Sequence, residues 1–260
     1  MTNRIHPTAI IDAKARLGEN VSIGAYSIIG ADVQIGDNTW VGPHVVIQGP
    51  SLIGCNNKIY QFNSIGEAPQ DKKFHHADRT WFKMGDNNVI REFCTFNRGT
   101  VQDAGVTQIG DDNWIMAYVH LAHDCLIGND TVFANGASLA GHVHIGNHVV
   151  MGGFALVYQF VNIGDYAICG FSSGVKKDVP PYSMVDGMPA KAVSINREGL
   201  KRHQFTPEEI RSIHQAFKVL YHSGLSLADA TAELKHLADE QPVLNLLNEF
   251  LPTMRRGLIR

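Results

Sequence analysis

A group of histidines in the middle of the chain is the first feature that could carry chemistry. His120 and His123 lie three residues apart in the segment VHLAHDC, and Asp124 follows His123 directly. A neutral imidazole whose second nitrogen is held by a carboxylate can act as a general base near neutral pH. The pattern therefore favours His123 as a base with Asp124 as its partner. Further histidines follow at His142, His144 and His148.

The same histidines allow two other interpretations. His120, His123 and His142 could supply three nitrogen ligands to a metal ion, although no cysteine or pair of acidic residues converges with them. Each histidine could also be a corner residue of a repeat, an interpretation that suits His148 and the earlier His44 best. Because no GxSxG motif is present, the sequence favours direct group transfer over a covalent intermediate. We expect neither a metal ion nor a cofactor.

The histidines lie within a repeat in which an apolar residue returns at every sixth position. A helix repeats its apolar positions at 3.6 residues and a half-buried strand at 2, so a period of six indicates coils of three short faces. The sequence thus predicts a mainly β fold, a left-handed parallel β-helix of hexapeptide repeats. The inward positions are Ile11, Leu17, Ile23, Ile29, Ile35, Val41, Ile47, Ile53, Ile59 and Ile65, and then Ile109, Ile115, Leu121, Ile127, Phe133, Leu139, Ile145, Met151, Val157, Ile163, Cys169 and Val175.

This period also predicts which side chains meet. Since one coil contains three hexads, residues 18 positions apart should lie above one another. Gly141 is then stacked on His123 with His142 beside it, and Gln159 lies a further coil along. The sequence therefore places a possible site on the outer surface of the coils, because the aliphatic residues fill the interior.

Two interruptions and a change of period organise the rest of the chain. The repeat breaks at Glu67–Lys83 and at Arg98–Gln108, and such loops often carry binding residues. Pro180 and Pro181 then end the repeat. We expect two domains, the β-helix over residues 1–190 and a helical domain over 191–260. Its helices are predicted to begin near Thr206, Ser226 and Pro242.

Composition excludes several classes of protein. The 260 residues carry a formal net charge of −3, which gives no reason to expect a nucleic-acid partner. No run of 18 or more apolar residues and no signal peptide is present, so we expect no membrane insertion and a cytoplasmic location. The four cysteines lack CxxC spacing and are expected to be free thiols in the core.

Several short motifs, spread over essentially the whole chain, resemble one family. They are VHLAHDC, LAGHV (139–143), IYQF (59–62), SIGEAPQD (64–71), NRGTVQ (97–102), DVPPY, EGLKR (198–202) and the terminal RGLIR. The chain resembles the acyl-[acyl-carrier-protein]:UDP-N-acetylglucosamine O-acyltransferases, which begin lipid A synthesis. A related nitrogen-acylating family carries an additional N-terminal domain, whereas here the repeats begin within the first dozen residues.

The resemblance implies a function and a set of site residues. The enzyme would transfer an (R)-3-hydroxyacyl group from acyl carrier protein to the 3-hydroxyl of UDP-N-acetylglucosamine, as a homotrimer with sites between subunits. His123 would be the general base, Asp124 would orient it, and the Gly141 N–H would stabilise the oxyanion. Phe171 would set the length of the acyl chain, and its bulk predicts a shorter donor than a glycine there. Implied contacts to the sugar nucleotide or the acyl chain are Gln70, Asp71, His120, His142, Gln159, Glu198 and Arg202.

Three positions depart from the family pattern: Asn97 and Tyr158 each replace a usual histidine, and His203 replaces a basic residue. They leave open a related transferase that acylates a 3-amino sugar nucleotide or uses coenzyme A. A third class, a non-enzymatic scaffold or a metal-binding protein resembling a carbonic anhydrase, is motivated by the histidines. The acidic acyl carrier protein suggests a basic landing patch. Its candidates are Lys72, Lys73, Arg79, Lys83, Arg91, Arg255 and Arg256.

Overall fold

The computed structural model describes residues 2–75 and 77–260. As the period of six predicts, the chain forms a left-handed parallel β-helix whose short strands build three sheets, followed by helices. Sheet 1 contains β1 Arg4–Ile5, β4 Ser22–Ile23, β7 Trp40–Val41, β10 Lys58–Ile59, β13 Val89–Ile90, β16 Trp114–Ile115, β19 Val132–Phe133, β22 Val150–Met151, β25 Ile168–Cys169, β27 Ser183–Gly187 and β28 Ala190–Ile195.

The other two faces of the coil are formed in the same way. Sheet 2 contains β2 Ile10–Ile11, β5 Ile28–Ile29, β8 Val46–Ile47, β11 Ser64–Glu67, β14 Thr95–Asn97, β17 His120–Leu121, β20 Ser138–Leu139, β23 Leu156–Val157 and β26 Gly174–Val175. Sheet 3 contains β3 Arg16–Leu17, β6 Val33–Ile35, β9 Ser51–Ile53, β12 Trp81–Met84, β15 Val106–Ile109, β18 Leu126–Ile127, β21 His144–Ile145 and β24 Asn162–Ile163.

Successive coils are in register, so residues 18 positions apart are neighbours. Leu121 pairs with Leu139, and that residue pairs with Val157. Their side chains are almost completely buried in one apolar column, and burial of such area stabilises the fold by about 25 cal/mol per Å². Ile11 and Leu17 are only partly buried, because each lies in the first coil of its own apolar column.

Three corners connect the sheets, and two kinds of residue shape the chain near them: residues with positive φ and closely packed glycines. We name the corners by the sheets they join: corner 1 joins sheets 1 and 2, corner 2 joins sheets 2 and 3, and corner 3 joins sheets 3 and 1. Residues with positive φ turn each corner, such as Asp124 and His142 at corner 2. The glycines that follow the inward residues serve close packing instead. A Cβ at Gly24 would lie 2.5 Å from the carbonyl carbon of Gly42.

The two interruptions are loops inserted between coils that otherwise stay in register. Ile65 pairs with Phe96 across the first loop, and Met84 pairs with Ile109 across the second. The loops themselves span residues 68–80 and 98–105, and are shorter than the expected interruptions. The difference arises because Trp81–Lys83 and Val106–Gln108 pair with each other as the strands β12 and β15.

The C-terminal part begins with an antiparallel hairpin of β27 and β28, and β28 crosses the expected boundary between residues 190 and 191. Helices α1 Arg197–Arg202, α2 Pro207–His222, α3 Leu227–Glu240 and α4 Asn245–Phe250 follow, with 3₁₀ turns at Pro242–Leu244 and Leu251–Thr253. The predicted helix starts at Thr206 and Ser226 are confirmed, and both side chains cap their helices. The helices pack around a second apolar cluster.

None of the helices in the described parts of the chain has the length and apolar character that a membrane span requires. All four cysteines are free thiols, and Cys94, Cys125 and Cys169 are buried as expected, whereas Cys55 is only partly buried. Burial raises the pKa of the Cys125 thiol to about 12, with a smaller contribution from the neighbouring Asp124 charge. The thiol is therefore protonated at neutral pH and packs as a small apolar side chain.

Candidate active site

His123 and Asp124 form a hydrogen-bonded pair at corner 2. Nδ1 of His123 lies 2.8 Å from Oδ2 of Asp124, which is only 2% exposed in its side chain. A carboxylate can only accept, so Nδ1–H donates and Nε2 is left with a lone pair. The geometry therefore presents His123 in the tautomer that can remove a proton through Nε2.

Asp124 is held from two sides by threonines. The Thr100 N–H and hydroxyl donate to its carboxylate over 2.8 and 2.7 Å, and its own N–H donates to Oγ1 of Thr107 over 2.7 Å. Thr100 belongs to the loop 98–105 and Thr107 to β15, so an inserted loop fixes the pair. Sequence reasoning did not find either threonine, because the period of six does not extend through the loop.

Gly141 lies against the ring of His123, as the spacing of 18 predicts. A Cβ at this position would be 2.6 Å from Cε1 of His123 and 2.8 Å from Nε2. Its carbonyl accepts a hydrogen bond from the Phe160 N–H over 3.2 Å, while its own N–H donates to no other described residue. Only glycine leaves both the ring and this N–H in place.

His142 lies beside the pair and is fixed by the same inserted loop. Its Nδ1 is 2.6 Å from Oδ2 of Asp103 and 3.8 Å from Oδ2 of Asp124. Its ring stacks on Phe160 with centroids 4.4 Å apart, and stands almost perpendicular to His123 at 5.0 Å. Burial acts to raise the pKa of Asp103, but hydrogen bonds from His142 and Ala104 outweigh it, so the pKa is below its usual value.

His120 projects from β17 on the outer side of sheet 2. Its Nδ1 is 2.7 Å from Oγ1 of Thr95. Burial lowers the pKa of His120, and the neighbouring His123 lowers it further, while the contact with Thr95 acts in the opposite direction. His120 is therefore neutral at neutral pH and can donate or accept one hydrogen bond through Nε2.

His123 and His142 line a groove of about 880 Å³. Loop 68–80, loop 98–105, corner 2 and the C-terminal segment all contribute to its walls. Five of the residues predicted from sequence meet here, together with polar and basic residues that were not assigned to the site. The lining residues are Gln70, Asp71, Lys72, Lys73, Thr100, Gln102, Asp103, His123, His142, Gln159, Phe160 and Arg255.

Glu198, Arg202 and Phe171 lie elsewhere in the same chain. Glu198 and Arg202 are exposed on α1, where Glu198 pairs with Lys201 over 2.8 Å. Phe171 is 71% exposed at corner 1, and its ring contacts that of Phe154 at a centroid distance of 6.0 Å. It is thus separated from His123 by the width of sheet 2, and does not continue the corner column of that residue.

Two of the three residues that depart from the family pattern differ in burial. Asn97 is buried and donates from Nδ2 to the carbonyl of Ala68 over 2.9 Å, so it anchors the first loop. Tyr158 is exposed, and the Arg256 guanidinium lies 5.0 Å from the centre of its ring. Neither residue contacts His123 in the described structure.

The basic residues expected to form one landing patch lie at separate places on the surface. Lys72, Lys73 and Arg255 line the groove, and the Arg255 guanidinium lies 5.0 Å from the centre of the Phe160 ring. Arg91 instead pairs with the adjacent Glu92 over 3.0 Å. Arg79 lies 3.7 Å from Asp32, which belongs to the N-terminal coils.

One metal-binding arrangement overlaps the site. The potential ligand atoms of His123, Asp124 and His142 all lie within 4.8 Å of one another. Nδ1 of His123 contacts Asp124 and Nδ1 of His142 contacts Asp103, which leaves Nε2 of each ring for proton transfer or for a ligand. His120 is not part of this arrangement.

Comparison with known proteins shows which family the chain resembles. Residues 178–259 match the family described as UDP N-acetylglucosamine O-acyltransferase, domain 2, and residues 107–141 match the bacterial transferase hexapeptide repeats. The chain is 55% identical over 261 residues to the acyl-[acyl-carrier-protein]–UDP-N-acetylglucosamine O-acyltransferase of Halorhodospira halophila, with 99% of each chain covered. Its counterpart from Neisseria gonorrhoeae is 53% identical, with 98% of this chain and 99% of that one covered.

Solved structures agree with the sequence relatives. The UDP-N-acetylglucosamine acyltransferase of Francisella novicida superposes with a TM-score of 0.97 at 41% identity, covering 98% of this chain and 94% of that chain. The O-acyltransferase of Moraxella catarrhalis gives 0.97 at 46% identity, with 98% and 99% covered. Since relatives this similar span nearly its whole length, the chain belongs to the acyl-[acyl-carrier-protein]–UDP-N-acetylglucosamine O-acyltransferase family.

Proposed function

We propose that the protein transfers an (R)-3-hydroxyacyl group from acyl carrier protein to the 3-hydroxyl of UDP-N-acetylglucosamine, the first step of lipid A biosynthesis, in the cytoplasm. One observation carries the chemical part of this proposal: the hydrogen-bonded pair of His123 and Asp124 beside the unbonded N–H of Gly141. The names of the relatives that share the whole chain support the substrates.

Each of the three groups has one task in the reaction. Nε2 of His123 removes the proton from the sugar hydroxyl while its oxygen attacks the thioester carbonyl carbon. The Gly141 N–H stabilises the resulting oxyanion, an effect that typically lowers a barrier by ~3 kcal/mol. The carbon–sulfur bond then breaks, and the imidazolium returns its proton to the thiolate. Asp124 keeps Nδ1 protonated and stabilises the imidazolium through its 2.8 Å hydrogen bond.

The groove supplies the contacts that would hold the acceptor. Gln70, Asp71 and Gln159 offer hydrogen-bonding groups suited to sugar hydroxyls, and all three line the cavity that contains His123. Lys72 and Lys73 provide positive charge for a diphosphate or for the acidic carrier protein. His142 is held by Asp103 through Nδ1, which leaves Nε2 for a contact with the substrate.

A homotrimer would bring the remaining predicted contacts to the groove. Glu198 and Arg202 are exposed on α1 and lie outside the cavity of their own chain. We assign them to the site of a neighbouring subunit, in which their side chains would meet the nucleotide. Closed cyclic assemblies of this kind build sites at subunit boundaries from two different surfaces of one chain.

The acyl chain is assigned to the outer side of sheet 2. His120, Ser138 and Leu156 project there from three successive coils, between the corner of His123 and the corner of Phe171. Leu156 is 48% exposed and offers apolar contact to a hydrocarbon. Phe171 at the far corner would end this path and select a shorter donor than a glycine would.

The decisive experiment is a competition with defined substrates. Purified protein receives a mixture of 3-hydroxyacyl carrier proteins of different lengths, with UDP-N-acetylglucosamine and its 3-amino analogue, and mass spectrometry identifies the product. We expect an ester on the hydroxyl sugar. His123→Ala should abolish it while the melting temperature stays near that of the wild type. A product on the amino analogue, or transfer from acyl coenzyme A alone, would overturn the assignment in favour of the related transferases.

A further inference from the structure

A second group of metal-ligating side chains lies at corner 3, away from the groove. Oδ2 of Asp130 is 2.8 Å from Nδ1 of His148, and the ring of His203 lies 4.6 Å from that of His148. Potential ligand atoms of all three residues lie within 4.8 Å of one another. None of the three lines the cavity that contains His123.

Three separate parts of the fold bring these residues together. Asp130 turns corner 3 in one coil, and His148 turns the same corner one coil later, with φ of 50° and 58°. His203 follows α1 directly and ends that helix. The spacing of 18 therefore supplies two of the side chains, and the packing of the C-terminal helices on the solenoid supplies the third.

Aromatic contacts hold both rings in place. His148 stacks on Tyr166 at 4.5 Å and 16°, and His203 meets the same tyrosine edge-on at 5.3 Å. The side chains of Asp130 and His148 are 52% and 28% exposed, so an ion can reach them from solvent. Nδ1 of His148 and Oδ2 of Asp130 are bound to each other, so a metal ion would take the place of the proton between them, and neither nitrogen of His203 bonds to another described residue.

We propose that Asp130, His148 and His203 bind one divalent transition-metal ion, with Zn²⁺ as the best fit. Two imidazole nitrogens and one carboxylate oxygen are a usual zinc donor set, and a water molecule can complete a tetrahedron. Ligand atoms about 3.4 Å apart are required for bonds of about 2.1 Å. The candidate ligand atoms lie within 4.8 Å of one another, so binding requires the side chains to move closer together, and each of the three is at least partly exposed.

The donor set also argues against Mg²⁺ or Ca²⁺. Both of these ions prefer oxygen ligands, whereas two of the three donors here are imidazoles. An ion at this place would join the solenoid to the segment that carries α1, because His203 is the only one of the three in the helical part. The proposal departs from the sequence expectation that no metal is bound, and it is independent of the proposed acyl transfer.

The test uses the full-length protein after removal of metals with a chelator. Titration with Zn²⁺ is followed by calorimetry, titration with Co²⁺ by its visible absorption, and melting temperature is measured with and without Zn²⁺. We expect one ion per chain, an absorption spectrum of a four-coordinate site, and a higher melting temperature with metal. His203→Gln should weaken Zn²⁺ binding at least tenfold and remove the rise in melting temperature.

Two further variants make the result specific. His148→Gln should have the same effect as His203→Gln, and His236→Gln, at an exposed position on α3, should bind as the wild type does. Failure of the chain to bind Zn²⁺ overturns the proposal. So does binding that His203→Gln leaves unchanged, or binding that only His142→Gln removes, which would place the ion at His123 and Asp124 instead.

Discussion

Thr100 donates two hydrogen bonds to the carboxylate of Asp124, one from its N–H over 2.8 Å and one from its hydroxyl over 2.7 Å. Both groups are buried, so water does not compete for the carboxylate. The first loop residues after β14 thereby determine where the partner of His123 can lie. The regular coils provide the corner, and the inserted loop fixes the orientation of the pair.

Thr100→Val tests this positioning role. The substitution removes the hydroxyl donor and keeps the size and the N–H, so Asp124 loses one of two hydrogen bonds from the loop. A hydrogen bond to a charged group contributes about 1.5 kcal/mol, which corresponds to a fall in kcat of roughly tenfold. KM should change little, and Thr100→Ser should restore kcat. Steady-state kinetics of both variants decide the matter, and an unaltered kcat in Thr100→Val would refute the role.

Gly141→Ala should lower turnover by about a hundredfold without unfolding the protein. The added Cβ would lie 2.6 Å from Cε1 of His123, and the ring must move because the backbone of the coil is fixed on both sides. A displacement of a general base by about 1 Å can cost on the order of a hundredfold in rate. We expect that loss with a melting temperature close to that of the wild type. Activity within a factor of three of the wild type would show that Nε2 does not act from this position.

The period of six was sufficient to predict the β-helix, because every regular coil places an apolar side chain inward at each sixth residue. Leu121, Leu139 and Val157 share one column, and the spacing that predicts this also predicts that Gly141 lies on His123. The period could not predict the structure of the inserted loop, because the repeat is interrupted there. Asp103 and Thr100 occupy a loop whose path depends on contacts with corner 2. A sequence gives no distance for a segment without a repeat.

The site residues implied by the family resemblance also fall into two groups, those that line the groove and those that lie elsewhere in the chain. Gln70 and Gln159 meet at the groove, although one lies in a loop and the other at a corner. Glu198 and Arg202 are placed by the helical part of the chain, and no repeat relates α1 to corner 2. Phe171 follows the period and lies at corner 1, separated from corner 2 by sheet 2. Assigning Glu198 and Arg202 to the proposed site needs a partner subunit, which the sequence of a single chain cannot describe.

Phe171→Gly should change the donor preference of the enzyme. The phenyl ring is exposed at the far edge of sheet 2, and its removal would extend the apolar path that passes Leu156. We expect the preferred 3-hydroxyacyl donor to become longer, as measured by mass spectrometry of products from a mixture of donors. Tyr26→Gly is the matched control, since this exposed ring lies on the same corner in the N-terminal coils. An unchanged product distribution in Phe171→Gly would remove the residue from this role.

His144 should make the folded state sensitive to acid. Burial lowers the pKa of His144 below its usual value of about 6.5, and the charge of Arg255 lowers it further. Below pH 6.5 the unfolded chain therefore binds a proton that the folded chain resists, so this residue destabilises the fold as the pH falls. Above that pH both states are neutral and the effect vanishes.

His144→Gln removes this effect, so the direction in which the melting-temperature difference changes with pH tests the prediction. The melting temperature of the variant, taken relative to the wild type, should rise between pH 7.5 and pH 5.5. Gln34→Ala is the control, because this exposed side chain does not titrate and the variant should keep a constant difference from the wild type over the same range. A difference that stays constant for His144→Gln, or that changes in the opposite direction, contradicts the assignment.

A buried asparagine ladder at corner 3 should be essential for stability. Oδ1 of Asn57 accepts from the N–H and Nδ2 of Asn88, and Oδ1 of Asn88 accepts in the same way from Asn113. Asn88→Ala removes the side-chain acceptor and donor, and leaves the buried Asn113 N–H without its partner. An unsatisfied buried group costs about 1 to 3 kcal/mol, so we expect a clear fall in melting temperature. Gln34→Ala, on the exposed side of β6, should leave the melting temperature nearly unchanged. Equal melting temperatures for the two variants would mean that water replaces the missing side chain, and that the apolar columns alone hold adjacent coils together.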